Sequence, residues 1–147
     1  MMVLRCSSNA RNMRELVSLS DAAGLEALFL SPAAASKMTL AELEFAFYLA
    51  KRAFEANGNV SKKRMNEAML FLACETNFSS AARKMGAADP SDFALVLEGD
   101  SAPARLRKAL ELESLGSMRL LKWGKKKGDY SEGELAVERM ALARIRN

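Results

Sequence analysis

The sequence predicts one α/β (α+β) domain spanning residues 1–147, a small mixed sheet of about four strands packed with helices, three of them consecutive. Three observations predict it. Short apolar runs closed by Gly, Pro or Ser have the length and composition of buried strands. Helix-start signatures precede longer stretches whose apolar residues recur every three to four positions. The two kinds of segment interleave along the chain, which excludes an all-α or all-β class. A chain of 147 residues, half of them apolar, is of single-domain size and can build a core.

Met1–Cys6 is short and apolar and reads as an edge or first strand. From Asn9 to Ala23, Met13, Leu16, Val17 and Leu19 follow helical spacing, and Gly24 stops the helix. Leu25–Leu30 reads as a buried strand ended by Ser31-Pro32, with a loop over Ala33–Lys37. Thr39 and Glu42 form a capping box, in which the hydroxyl and the carboxylate each satisfy an orphan N–H. It opens a long helix to Asn57, closed by Gly58. Leu40, Leu43, Phe47, Ala50 and Phe54 make its stripe, and Phe45, Tyr48 and Leu49 add apolar surface, so the helix reads as largely buried.

Ser61 is placed to cap a second helix, with Met65, Met69, Leu72 and Ala73 on one face. Asn77 is placed to cap a third, short one lined by Phe78, Ala81, Ala82 and Met85 and ended by Gly86. Asp89-Pro90-Ser91-Asp92 is a turn, and Phe93–Leu97 a buried strand closed by Gly99. Pro103 suits the first turn of a helix running to about Ser114. Past Gly116, Met118, Leu120 and Trp123 alternate as a strand would. Gly124–Gly128 reads as a basic turn. Ser131 with Glu134 opens a C-terminal helix whose Val137, Met140, Ala141 and Ile145 face inward. No repeat, low-complexity tract or linker interrupts this order.

Composition excludes several chemistries. The chain has no His, so no Ser-His-Asp or Cys-His nucleophile is available. With two cysteines, far apart, structural zinc is excluded too, and the expected role for Cys6 and Cys74 is reduced packing, with a disulfide as the alternative. Glu42 with Glu44 and Glu111 with Glu113 point different ways on a helix. Glu67 and Glu75 share a face only if one helix carries both, so no acid/base pair stands out. No apolar run reaches the ~20 residues of a membrane span, and the first residues are too short for a signal peptide. The expected location is the cytoplasm, with no membrane partner.

The net charge is +4, from 22 basic and 18 acidic residues. Its distribution says more than its size. Residues 51–84 hold seven basic against three acidic side chains, and residues 105–127 hold eight against two. Lys62, Lys63 and Arg64 fall at a helix start, where the dipole disfavours cations but an approaching phosphate is favoured. Arg83 and Lys84 close the next helix. A polyanion site and a solvated helix end both fit this pattern. Gly124–Gly128 lacks the spacing, preceding strand and Ser/Thr of a phosphate loop. No aromatic alternation of the RNA-recognition-motif kind is present. The residues alone read as a small basic binding module.

One stretch goes further. From Met65 to Gly86, the Glu67, Asn77, Ala81 and Gly86 spacing, with apolar residues at 69–72, resembles the motif of the TPRKB family. The basic residues ahead of Glu67 and the strand after Gly86 fit as well. Phe78 stands where the family usually has Ile or Val, and Ala73-Cys74 where Ser-Pro or Ser-Cys is commoner. The short chain is similar to archaeal-type members. TPRKB proteins are the small, non-catalytic tRNA-binding subunits of the KEOPS complex, which installs N6-threonylcarbamoyladenosine beside the anticodon.

The resemblance implies a subunit that binds the 3′ CCA end of tRNA and the small atypical kinase/ATPase subunit, and reaches the carbamoyltransferase subunit only indirectly. It implies no cofactor and no catalytic residue. A single-stranded end needs cations for its phosphates and a pocket for splayed bases. On this reading Lys62, Lys63 and Arg64 bind phosphates, with Arg83 and Lys84 beside them. Asn77 holds the terminal nucleotide, caps its helix, or does both. Glu67 orients the basic cluster or caps a loop. Met140, Leu142 and Ile145 on the C-terminal helix are the candidate kinase contacts; packing within the fold is the alternative for all three. The competing function is a protein–protein adaptor that regulates a kinase without touching RNA.

Overall fold

A computed structural model describes residues 1–121, 126–127, 130–131 and 139–140. In chain order the elements are β1 (Met2–Ser8), α1 (Met13–Ala22), β2 (Ala27–Leu30), α2 (Pro32–Ala35), α3 (Leu40–Glu55), α4 (Arg64–Ala73), α5 (Phe78–Met85), β3 (Phe93–Leu97), α6 (Pro103–Ala109), β4 (Leu112–Ser117), β5 (Lys126–Lys127) and β6 (Tyr130–Ser131). The mixed α/β class holds, and α3, α4 and α5 are the expected consecutive helices. The chain gathers into two compact units, Met1–Ser36 with Gly86–Arg119 and Lys37–Met85 with Leu120–Asn147.

The first unit is built on a four-stranded sheet in the order β2-β3-β1-β4. Every pairing in it is antiparallel, where the sequence suggests a mixed sheet. The reason is topological. β1, α1 and β2 form a crossover whose two strands run the same way, but β3 inserts between them and opposes both. That is a split β-α-β arrangement, which leaves no parallel neighbours. The central strand β3 is buried along its whole length, as an uninterrupted apolar run demands.

Register sets the core. Met2, Leu4 and Cys6 pair with Leu97, Leu95 and Phe93, so all six share one face of the sheet. Leu16 of α1 and Leu106 and Leu110 near α6 complete this core. Phe29 and Phe93 meet edge-on within it, their centroids 5.7 Å apart. Asn12 caps α1 by accepting the Glu15 N–H. Gly24, at φ +66°, ends it: the N–H of Gly24 and of Leu25 return to Asp21 and Ser20, the pattern that needs a left-handed residue.

The strand read over 118–123 lies earlier, at Leu112–Ser117, and α6 stops at Ala109 rather than near Ser114. Glu111 is the cause. It takes a left-handed conformation, φ 51°, which reverses the chain, and its carbonyl accepts the N–H of Asn9 at 2.9 Å. β4 then pairs with β1 through a bulge, with Ser7 opposite Ser114 but Ser8 opposite Leu112. The extra residue, Glu113, lets Leu112 and Leu115 both lie against the core although they are three apart in sequence.

In the second unit, Thr39 and Glu42 make both bonds of the capping box that opens α3. The helix buries Leu43, Ala46, Phe47 and Ala50, while Leu40 and Tyr48 stand exposed. Its end differs in one residue from expectation: Asn57, not Gly58, takes the left-handed turn, and the Asn57 and Gly58 N–H groups return to Phe54 and Ala53. α4 packs against α3 and α5 against α4. In the first unit, the segment read as a loop after Pro32 holds the short α2, capped by Ser31.

Candidate nucleic-acid interface

The positive charge belongs to one unit. The unit holding α3, α4 and α5 has 15 basic and 9 acidic residues, and the sheet unit has 7 basic and 9 acidic. The basic stretch 105–127 is divided between them. A polyanion would therefore be drawn to the helical unit.

At the start of α4, Lys63 occupies the cap position with extended backbone and no side-chain cap bond. Ser61 is not the cap. Its hydroxyl oxygen lies 3.4 Å from the Lys63 N–H, a long contact. The anchor is Glu67, which is fully buried. Its Oε2 accepts the backbone N–H of Ser61 at 2.8 Å and of Val60 at 3.1 Å. A carboxylate one turn into the helix thus fixes the two residues that lead into the basic triple, and the loop-capping role expected of Glu67 is the one it performs. Lys62 and Lys63 are exposed, and Arg64 is half-buried.

The second cluster surrounds α5. Asn77 Oδ1 accepts the Ser80 N–H at 3.2 Å, so the predicted cap forms. Side chains on a helix lean toward its N-terminus, and both closing cations do so. Arg83 Nη2 reaches the Ser80 hydroxyl at 3.4 Å, and the Lys84 ammonium pairs with Glu75 in the α4–α5 connection. Asn77, Arg83 and Lys84 are thereby gathered at one end of α5. α4 has ten residues and is about 15 Å long. It separates Lys62–Arg64, at its start, from this group, beyond its end.

That connection is tightly turned. Cys74 takes a left-handed conformation, φ 53°, and the N–H of Cys74 and of Glu75 return to Phe71 and Leu70. α4 therefore ends before Glu75, and Glu67 and Glu75 share no helix face. Burial pushes the Cys74 thiol up, against the pull of Lys84 and Arg139. Cys6, buried in the sheet core, is pushed up to about 11, opposed by Arg107. Both thiols are free, and both stay protonated near neutral pH.

Phe78, read as lining its helix, and Tyr48, read as part of a largely buried helix, both stand exposed. Phe78 is 40% exposed. It is the first residue of α5, and a side chain there leans past the helix end into solvent. That position was the available sequence signal. Tyr48 is exposed and stacks on Phe45. Of the candidate kinase contacts, Met140 is buried, the inward-facing position also read for it from the sequence. Leu142, Ile145 and most of the segment read as a C-terminal helix lie outside the described residues. Lys126 and Lys127 form a strand, pairing with Ser131 and Tyr130, where a basic turn was expected. Ser131 is therefore in a strand, and Glu134 lies outside the described residues.

No family model and no curated protein sequence matches this chain. Among the described residues no helix is long and apolar enough to cross a membrane.

Proposed function

We propose that this chain is a non-catalytic tRNA-binding subunit of the TPRKB kind. It takes the 3′ CCA end of tRNA and docks on a small kinase/ATPase partner of a KEOPS-type tRNA-modifying complex. The observation that carries the RNA part is the start of α4. There, exposed Lys62 and Lys63 sit at the positive end of a helix on a loop that buried Glu67 holds in place. Cations and helix dipole oppose one another in the free protein and act together on a phosphate. The excess charge of the same unit supports this reading, as do the exposed ring of Phe78 beside Asn77 and the motif spacing from Glu67 to Gly86. On this reading the partner contact falls on the segment 132–146, through Leu142 and Ile145.

The test is binding of the full chain to tRNA with and without its CCA end, at fixed salt near physiological strength. A large loss on removing CCA is the expected result. Equal binding to both would mean backbone electrostatics alone. It would move the reading to a kinase adaptor with no RNA role.

A further inference from the structure

Tyr48 has no role in the site described above. It is 56% exposed, a high value for an aromatic ring on a helix whose inner face is otherwise well buried. It is not mobile surface decoration either, because it lies over Phe45, one turn earlier, with ring centroids 6.2 Å apart and planes 22° from parallel. The pair makes an aromatic shelf on the helix surface, with the Tyr48 ring more than half exposed. Lys51 and Arg52 follow Tyr48 by three and four positions, so both stand on the same stretch of helix surface. Lys51 has no carboxylate partner among the described residues. Arg52 has only an exposed contact with Glu55 at 3.6 Å, of the kind worth little in water and easily exchanged for a phosphate.

The shelf lies near the middle of α3, with Lys51 and Arg52 one turn nearer its end, and residues 56–61 separate α3 from the Lys62–Arg64 cluster at the start of α4. Two cationic groups thus flank one short connection, with an exposed aromatic ring one turn before the first.

We propose that Tyr48 is a base-stacking platform, and Lys51 and Arg52 its phosphate contacts, forming a further subsite for a single-stranded segment of RNA. The chemistry is general. Every base has a π-face, so an exposed ring binds it without reading its edge, and neighbouring cations hold the backbone that carries it. An acidic protein partner would use Lys51 and Arg52 but has no need of an open ring. The inference rests on the RNA-binding reading, with α4 and α5 holding the terminal nucleotides and α3 holding residues further along the strand.

The experiment uses the full chain and tRNA ending in CCA, with affinity measured over a series of salt concentrations. Tyr48→Ala should raise Kd about ten-fold, the loss of one stacked base, and leave the slope of log Kd against log salt unchanged. Tyr48→Trp should restore binding. Lys51→Gln with Arg52→Gln should instead lower that slope by about 1.4, two single-strand phosphate contacts. Unfolding midpoints of these surface variants report folding independently. If Tyr48→Ala binds like the parent while Lys62→Glu with Lys63→Glu abolishes binding, the platform is overturned and the RNA-binding reading stands. If the parent chain shows no CCA-dependent binding, that reading fails and the platform with it.

Discussion

The carboxylate of Glu67 accepts the backbone N–H of Ser61 at 2.8 Å from a fully buried position one turn inside α4. A second bond, from the Val60 N–H, falls on the same oxygen. A buried carboxylate is tolerated only where hydrogen bonds replace its water. The two amides do this, and in return the loop ahead of Lys62 is fixed. Removing the carboxylate leaves two donors without their acceptor and empties a packed site. Glu67→Ala should cost about 2–4 kcal/mol of unfolding free energy, measured by urea denaturation. Glu67→Gln keeps one acceptor oxygen and should cost less. A neutral Glu67→Ala would show that water satisfies these amides as well as Glu67 does.

Lys62 and Lys63 should behave oppositely. Both are exposed, and both lie at a helix end that disfavours them. Lys62→Glu with Lys63→Glu should leave the fold intact, because the dipole favours acidic side chains at this end of the helix. The same variant should lose tRNA affinity and show a shallower salt dependence. Thermal unfolding and a salt series on one preparation check both. Retained affinity would remove these two lysines from the interface.

The parts of this fold legible in the sequence are those decided by neighbours in the chain. The capping box of Thr39 and Glu42, the Asn77 cap and the apolar run Phe93–Leu97 are each set by chemistry within a few residues. What was not legible depends on distant partners. Nothing near β1 or β2 announces that β3 will lie between them, so the sheet reads as mixed. Glu111 looks like a helical residue, and its left-handed turn makes sense only beside Asn9, which its carbonyl engages. In the candidate site, the basic residues and Asn77 were readable from charge and spacing. The reach of Lys84 to Glu75, and the exposure of Phe78 and Tyr48, follow from how the helices end and pack.

Arg5 and Asp92 make a two-pronged pair on the sheet unit, with Nε and Nη2 each 2.8 Å from a carboxylate oxygen. These hydrogen bonds hold the Asp92 carboxyl below its ordinary value, outweighing the opposing effect of burial. A carboxyl whose pKa is lowered by folding stabilises the native state above its unfolded pKa, and that contribution fades as pH falls through the folded value. The stability difference between the parent and Asp92→Asn should therefore be present at neutral pH and level down to the ordinary carboxylate range. It should shrink toward zero below about pH 4. Denaturation across a pH series checks it. A difference that grows on acidification would have the wrong sign for this pair.

Asn77 is where cap and ligand contact can be separated. Its Oδ1 holds the Ser80 N–H at the start of α5, while Arg83 and Lys84 reach back toward the same end of the helix. Asn77→Ala removes the cap and should cost about 1 kcal/mol of stability, whatever the residue does for RNA. A fall in affinity in that variant would therefore be ambiguous. Asn77→Asp resolves it. Aspartate caps as well as asparagine, and its charge suits the positive end of a helix, so the fold should be as stable as the parent or slightly more so. At an interface that receives a phosphate or the terminal nucleotide, the same charge repels the ligand and replaces the amide donors with an acceptor. Unchanged unfolding with weakened binding of CCA-ended tRNA is the expected pair of results. Unchanged binding would confine Asn77 to its cap and move the terminal nucleotide away from the start of α5.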